Sequence, residues 1–142
     1  MACQTMAFIV YLPGEFLMTI GGVQGWTVGY SAGLFRLTSL VAGAGSADIF
    51  VSTVTLPGSS PYRVVVRRIS THGDLGLAPG LCTLWINGTE IGRYTEVLSP
   101  TPINPGQLLI TNALPSFAGA IFSNLTFSPY AWSDVEAKAW GL

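Results

Sequence analysis

The chain has 142 residues, of which 49% are apolar and only 9% charged, with a formal net charge of −1. Intrinsic disorder, which needs low hydrophobicity and high net charge, is excluded. Six Lys and Arg residues supply no basic stripe for phosphates, so nucleic-acid binding is excluded too.

From the N-terminus, Met1 to Leu12 has no Lys or Arg ahead of its apolar run. The secretory-signal pattern is therefore missing, and use without export is expected. The longest charge-free stretch, Phe16 to Phe35, contains Gly21, Gly22, Gly25, Gly29 and Gly33 together with Gln24 and Thr27. That is too polar and glycine-rich for a membrane-spanning helix. Seventeen Gly and nine Pro punctuate short runs rich in Val, Ile, Thr and aromatics, the pattern of many short strands. The predicted strands are Met6–Leu12, Glu15–Ile20, Trp26–Tyr30, Leu34–Leu40, Asp48–Val54, Tyr62–Ile69, Leu81–Ile86, Glu90–Val97, Gln107–Thr111 and Ala120–Phe127. Ten strands at this spacing predict an all-β fold, an antiparallel two-sheet β-sandwich filling one domain over residues 1–142.

One hairpin is specified closely. Asn87-Gly88 is the favoured pair for a type I′ turn, whose central residues both take positive φ. A two-residue loop pairs Ile86 with Thr89, Trp85 with Glu90 and Leu84 with Ile91. Alternation then puts Leu84, Ile86 and Ile91 on the inner face and Thr83, Trp85, Glu90 and Tyr94 on the outer. Trp85 and Tyr94 are thus predicted to be partly exposed aromatics. Arg67 and Arg68 are adjacent on one strand and face opposite ways; one is expected to be exposed, the other to pair with a carboxylate. The one predicted helix follows Ser133-Asp134-Val135-Glu136, a capping box, with Gly141 as its stop and Val135, Ala139 and Trp140 as its anchors.

The succession Tyr62-Arg63-Val64-Val65-Val66-Arg67-Arg68, then Leu84-Trp85-Ile86-Asn87-Gly88-Thr89-Glu90-Ile91-Gly92, resembles the laminin-G/concanavalin A-like jelly roll. Leu109-Ile110-Thr111, Phe117-Ala118-Gly119-Ala120-Ile121-Phe122-Ser123-Asn124-Leu125-Thr126-Phe127 and Trp132-Ser133-Asp134-Val135-Glu136 continue it in order, with Thr111 where the family has glycine. The likeness covers residues 60 to 140. It implies a jelly roll with a short C-terminal helix and leaves function broad: glycan-binding lectins, adhesion modules, glucan hydrolases and parts of virus particles.

Catalysis is not expected. Hydrolases of this architecture need two carboxylates on one strand at a fixed separation, and no strand here carries the pair. The sole histidine, His72, lies in a loop with Ser70 and Asp74 and lacks the support that orients a general base. Asp48 and Asp74 are isolated, and Cys3 and Cys82 have no partner at metal spacing, so no metal and no cofactor are expected. Asn87-Gly88-Thr89 and Asn124-Leu125-Thr126 match the glycosylation triplet and are read as chance in the absence of an export signal.

Surfaces remain. Trp85, Tyr94, Arg67 and Arg93 are the candidate binding residues, serving either a protein interface or a glycan. So few charges on about 7,000 Å² of surface suggest cover by copies of the chain, as a homo-oligomer such as a trimer, or by a larger protein assembly. The expectation is a structural module, a phage capsid decoration or cement protein of the virion. The alternative is a lectin-like carbohydrate-binding module of a phage or cell surface.

Overall fold

The computed structural model describes residues 4–11, 16–20, 25–31, 34–41, 45–51, 61–69, 73–95, 108–111 and 121–142. The strands are β1 (Thr5–Tyr11), β2 (Phe16–Ile20), β3 (Gly25–Ser31), β4 (Leu34–Val41), β5 (Gly45–Val51), β6 (Tyr62–Arg68), β7 (Leu81–Ile86), β8 (Thr89–Thr95), β9 (Leu108–Thr111) and β10 (Ile121–Ser128), followed by helix α1 (Asp134–Trp140). Each predicted strand is present, with boundaries shifted by a few residues. Glu15, His72, Glu96, Cys3 and the 117–120 part of the family-like block lie outside the described residues.

Two five-stranded sheets form, in the orders β10-β1-β6-β7-β8 and β5-β4-β3-β2-β9. Every pairing in both is antiparallel. The fold is a jelly-roll β-sandwich. No described helix is long and apolar enough to cross a membrane.

The interior follows from alternation. Met6, Phe8, Val10, Val64, Val66, Cys82, Leu84 and Ile86 of the first sheet meet Val28 and Phe35 of the second. Aromatic rings pack within and between the layers: Phe8 lies 5.7 Å from Phe122 in the first sheet, Phe35 lies 5.1 Å from Tyr30 in the second, and Phe35 reaches across to Tyr62 of the first sheet at 6.5 Å. These tilted and edge-on contacts are the preferred aromatic geometries.

The opposite face of the first sheet is covered as well. Ala7, Val65 and Trp85 form one cross-strand row and pack with Ala137 of α1, flanked by Trp132 and Trp140. Val135 is 76% exposed and Ala139 is also exposed. The helix is therefore anchored through Ala137 and the expected Trp140, whereas the other two expected anchors, Val135 and Ala139, face solvent. Its N-terminus is the capping box expected: the Ser133 hydroxyl accepts from the Glu136 amide, and the Glu136 carboxylate accepts from the Ser133 amide. At the other end Gly141 lies so close to the hairpin turn that an added Cβ would fall 2.2 Å from the Gly88 nitrogen.

Candidate functional site

The β7–β8 hairpin has the expected turn, with φ of 48° at Asn87 and 72° at Gly88. Ile86 pairs with Thr89 and Trp85 with Glu90, but Leu84 pairs with Gly92, because β8 carries one extra residue there. A one-residue slip exchanges the two faces of everything beyond it. Ile91 still packs against the interior. Past the bulge, however, Arg93 comes opposite Thr83 on the outer face, and Tyr94 comes opposite Cys82 on the inner one. Tyr94 is 38% exposed, as an aromatic at the margin of the sandwich rather than on its outer face.

Trp85 is 0% exposed, which corrects the expectation of a partly exposed ring. The cause is tertiary: α1 and the segment leading to it lie over this face. Neither Arg67 nor Arg68 is exposed, so that expectation is corrected too. Arg67 has the carboxylate partner foreseen for one of the pair, but on the helix.

Arg67 occupies the centre of a cross-sheet row running Ser128, Thr5, Arg67, Thr83, Arg93. The chain leaving β10 crosses this row and is tied to it at each step. Thr5 Oγ1 donates to the Tyr130 carbonyl at 2.9 Å and accepts from the Trp132 amide at 3.0 Å. Arg67 Nη1 donates to the Trp132 carbonyl at 2.7 Å and to Asp134 Oδ1 at 2.9 Å. Arg93 Nη2 reaches Asp134 Oδ2 at 2.7 Å while its Nε reaches Glu90 Oε1 at 2.6 Å. The Arg67 guanidinium also sits 4.7 Å over the Trp85 ring, a cation–π contact made stronger by desolvation. Arg67 and Arg93 are thus brought together by one carboxylate, with Trp85 beneath Arg67. The arrangement is a clamp that holds the C-terminal segment down.

The clamp biases titration. Partial burial alone would raise the Asp134 pKa, but hydrogen bonds from Arg93 and then Arg67 outweigh it and leave the carboxyl below its ordinary value. Glu90 first and Asp134 second push Arg93 further above the usual guanidinium range. The amide and hydroxyl of Ser133 lower Glu136. Among the described residues, two buried donor atoms, Arg67 Nε and Trp85 Nε1, have no hydrogen-bond partner.

A different group of side chains faces water at one end of the first sheet. Gln4 Nε2 donates to the Pro129 carbonyl at 3.0 Å and makes a long 3.5 Å contact to Asp74 Oδ2. Beside it Tyr130 is 73% and Leu75 47% exposed. Asp74 was legible as an isolated acid; Tyr130 carried no motif, and only its neighbour Pro129 marks a chain that has left a strand. Among the described residues, no group of three metal-ligating side chains comes together.

No protein-family model matches the chain, and no curated protein matches it either. Solved structures do match in fold. A carbohydrate-binding module of a Ruminococcus gnavus sialidase, bound to sialyllactose, aligns over 97% of this chain and 82% of its own, at 15% identity and a TM-score of 0.64. The Bacillus subtilis carbohydrate-binding module CBM66 aligns over 89% of this chain and 75% of its own, at 11% identity and a TM-score of 0.60. The receptor-binding domain of botulinum neurotoxin type G aligns over 96% of this chain at 13% identity and a TM-score of 0.68, and this chain spans only 37% of its length. The chain is therefore similar in fold to carbohydrate-binding and receptor-binding β-sandwich modules.

Proposed function

We infer that residues 1–142 form one non-catalytic recognition domain whose ligand class is carbohydrate, presented at a cell or particle surface. The observation that carries this reading is where the charges are. Arg67, Arg93, Glu90 and Asp134 hold the C-terminal segment, and Glu136 caps the helix. What faces solvent at the Gln4 end is aromatic, aliphatic and amide or carboxylate chemistry, which suits the mixed apolar and hydroxyl surface of a sugar. The fold likeness to sialidase and Bacillus carbohydrate-binding modules supports the reading by analogy. Trp85 and Arg67 contribute by shaping the sheet, not by touching the ligand, and Tyr94 offers a second exposed ring.

The test is a glycan microarray probed with the intact 142-residue chain, with hits followed by calorimetry. Saturable binding to at least one glycan class is expected, and a folded chain that binds none overturns the reading.

One observation favours the assembly reading, that of a virion decoration or cement protein. Tyr11 and Ile121 are register partners on adjacent strands and are 44% and 67% exposed, an apolar pair of the kind protein interfaces use. Native mass spectrometry separates the two. A trimer or larger species without glycan binding replaces the carbohydrate reading, whereas a glycan-binding monomer sets assembly aside.

A further inference from the structure

Two segments distant in sequence meet where β1 begins. The first is the turn Asp74–Leu77, closed by the Leu77 amide donating to the Asp74 carbonyl at 2.8 Å. Its central residues have φ of 54° at Leu75 and 68° at Gly76. Positive φ at both positions is type I′ geometry, which favours Asn, Asp or Gly at the first of them. A leucine there is a steric outlier. Burial does not offset the strain, because the side chain is 47% exposed. Strain of this kind concentrates at sites that bind something.

The second segment is Ser128–Tyr130. The Tyr130 amide donates to Ser128 Oγ at 3.1 Å and its carbonyl accepts from Thr5 Oγ1 at 2.9 Å. The main chain is pinned on both sides while the ring is 73% exposed. The Gln4 side chain joins the two segments, reaching Pro129 on one and Asp74 on the other. Asp74 Oδ1 accepts from the Leu75 amide at 2.8 Å, and no described Lys or Arg forms an ion pair with Asp74. An apolar side chain, an exposed aromatic ring and a carboxylate with no described ion-pair partner thus stand on two segments of fixed backbone that Gln4 joins. Preorganisation of this sort lowers the ordering cost of binding.

We propose that the junction of Gln4, Asp74, Leu75 and Tyr130 is a binding site for a neutral pyranose. This rests on the recognition reading above and adds its location and ligand charge. The Tyr130 ring takes the C–H face of the sugar, and Leu75 extends that apolar floor. The Asp74 carboxylate has lone pairs left to accept from two hydroxyls. An acidic sugar would set its carboxylate against Asp74, so sialylated glycans are disfavoured.

The experiment is calorimetry on the intact chain with lactose, cellotetraose, maltotetraose and sialyllactose, using wild type and the variants Tyr130→Ala, Asp74→Asn and Leu75→Asn. Wild type is expected to bind at least one neutral sugar about tenfold more tightly than sialyllactose. Tyr130→Ala is expected to lose about tenfold in affinity with an unchanged Tm, because an exposed ring leaves no cavity. Asp74→Asn keeps an acceptor for the turn, weakens neutral sugars and narrows the gap to sialyllactose. Leu75→Asn suits the left-handed backbone, so it raises Tm while weakening binding. Neutral-sugar binding unchanged in Tyr130→Ala and Asp74→Asn overturns this site and leaves the recognition reading standing. A preference for sialyllactose overturns the stated ligand charge. Absence of binding to any sugar, here and on the array, overturns both.

Discussion

Replacing Asp134 with alanine tests the clamp most directly. The Arg67 side chain is 0% exposed and its Asp134 partner 42%. Deleting one member of a fully buried pair costs about 3–5 kcal/mol, because the other charge is left uncompensated. Asp134 is partly open to water and the Trp132 carbonyl stays on Arg67, so the cost falls to about 2–3 kcal/mol. Arg93 is 35% exposed, and Arg93→Ala is expected to cost no more than about 1 kcal/mol. Arg67→Met removes the buried charge together with its unpaired Nε, at about 1–2 kcal/mol for the donors lost to Trp132 and Thr83. Once Arg67 is gone, Asp134 has little left to compensate. Only the partly exposed Arg93 pair then remains to be lost with Asp134, so the double variant Asp134→Ala/Arg67→Met is expected to lie within about 1 kcal/mol of Arg67→Met, with a coupling of about 1–2 kcal/mol. Urea unfolding followed by tryptophan fluorescence measures all four variants, since Trp85, Trp132 and Trp140 report on this layer. In Tm, each kcal/mol corresponds to about 3–5 °C at this length. Strict additivity, or an Asp134→Ala cost below about 0.5 kcal/mol, would refute the clamp.

Gly141→Ala would set a Cβ 2.2 Å from the Gly88 nitrogen and 2.6 Å from its Cα, both backbone atoms that cannot move aside. A loss of about 2–4 kcal/mol and faster amide exchange through α1 are expected. Gly76→Ala meets nothing within 4 Å and should cost only the positive-φ strain of about 1 kcal/mol; equal losses in the two variants would sink the close-approach explanation. Stability should also fall in acid. Asp134 and Glu136 are held below their ordinary values of 3.8 and 4.5, so their stabilisation is complete above those values and disappears as pH drops through the folded-state pKa. Urea midpoints at pH 6 and pH 3 measure it, and Asp134→Asn should flatten the profile. A wild-type midpoint that does not move between the two would contradict the assignment.

The ten strands and the helix were legible because their signals are local: β-branched runs between Gly and Pro, an Asn-Gly turn, and Ser133 three residues before Glu136. The faces of β8 were not. A single extra residue at Ile91 leaves no mark in alternation, yet it carries Arg93 to the outer face and Tyr94 away from it. The burial of Trp85 did leave a mark. Met6–Val10 and Val64–Val66 are unbroken apolar runs, and a strand without alternation is covered on both sides. That rule predicts a cover over the outer face, and the capped helix is the nearest apolar element to supply it.

Reading scarce charge as a sign of surfaces shielded by other subunits therefore needs a prior subtraction. Part of the apolar content forms a second interior between sheet and helix, made of Ala7, Val65, Trp85 and Ala137 with Trp132 and Trp140. Several of the ionised groups are concentrated at its margin, where Asp134 joins Arg67 to Arg93. A sandwich with one face roofed by its own C-terminal segment needs fewer charges for solubility than one with both faces bare, since less apolar surface meets water. What then calls for a partner is not the bulk composition. It is the small set of apolar side chains held in solvent by well-anchored backbone, and at Leu75 and Tyr130 hydrogen bonds to the main chain supply that anchoring. Fixed main chain beneath an exposed ring favours a ligand that needs a shaped surface over one that needs only area.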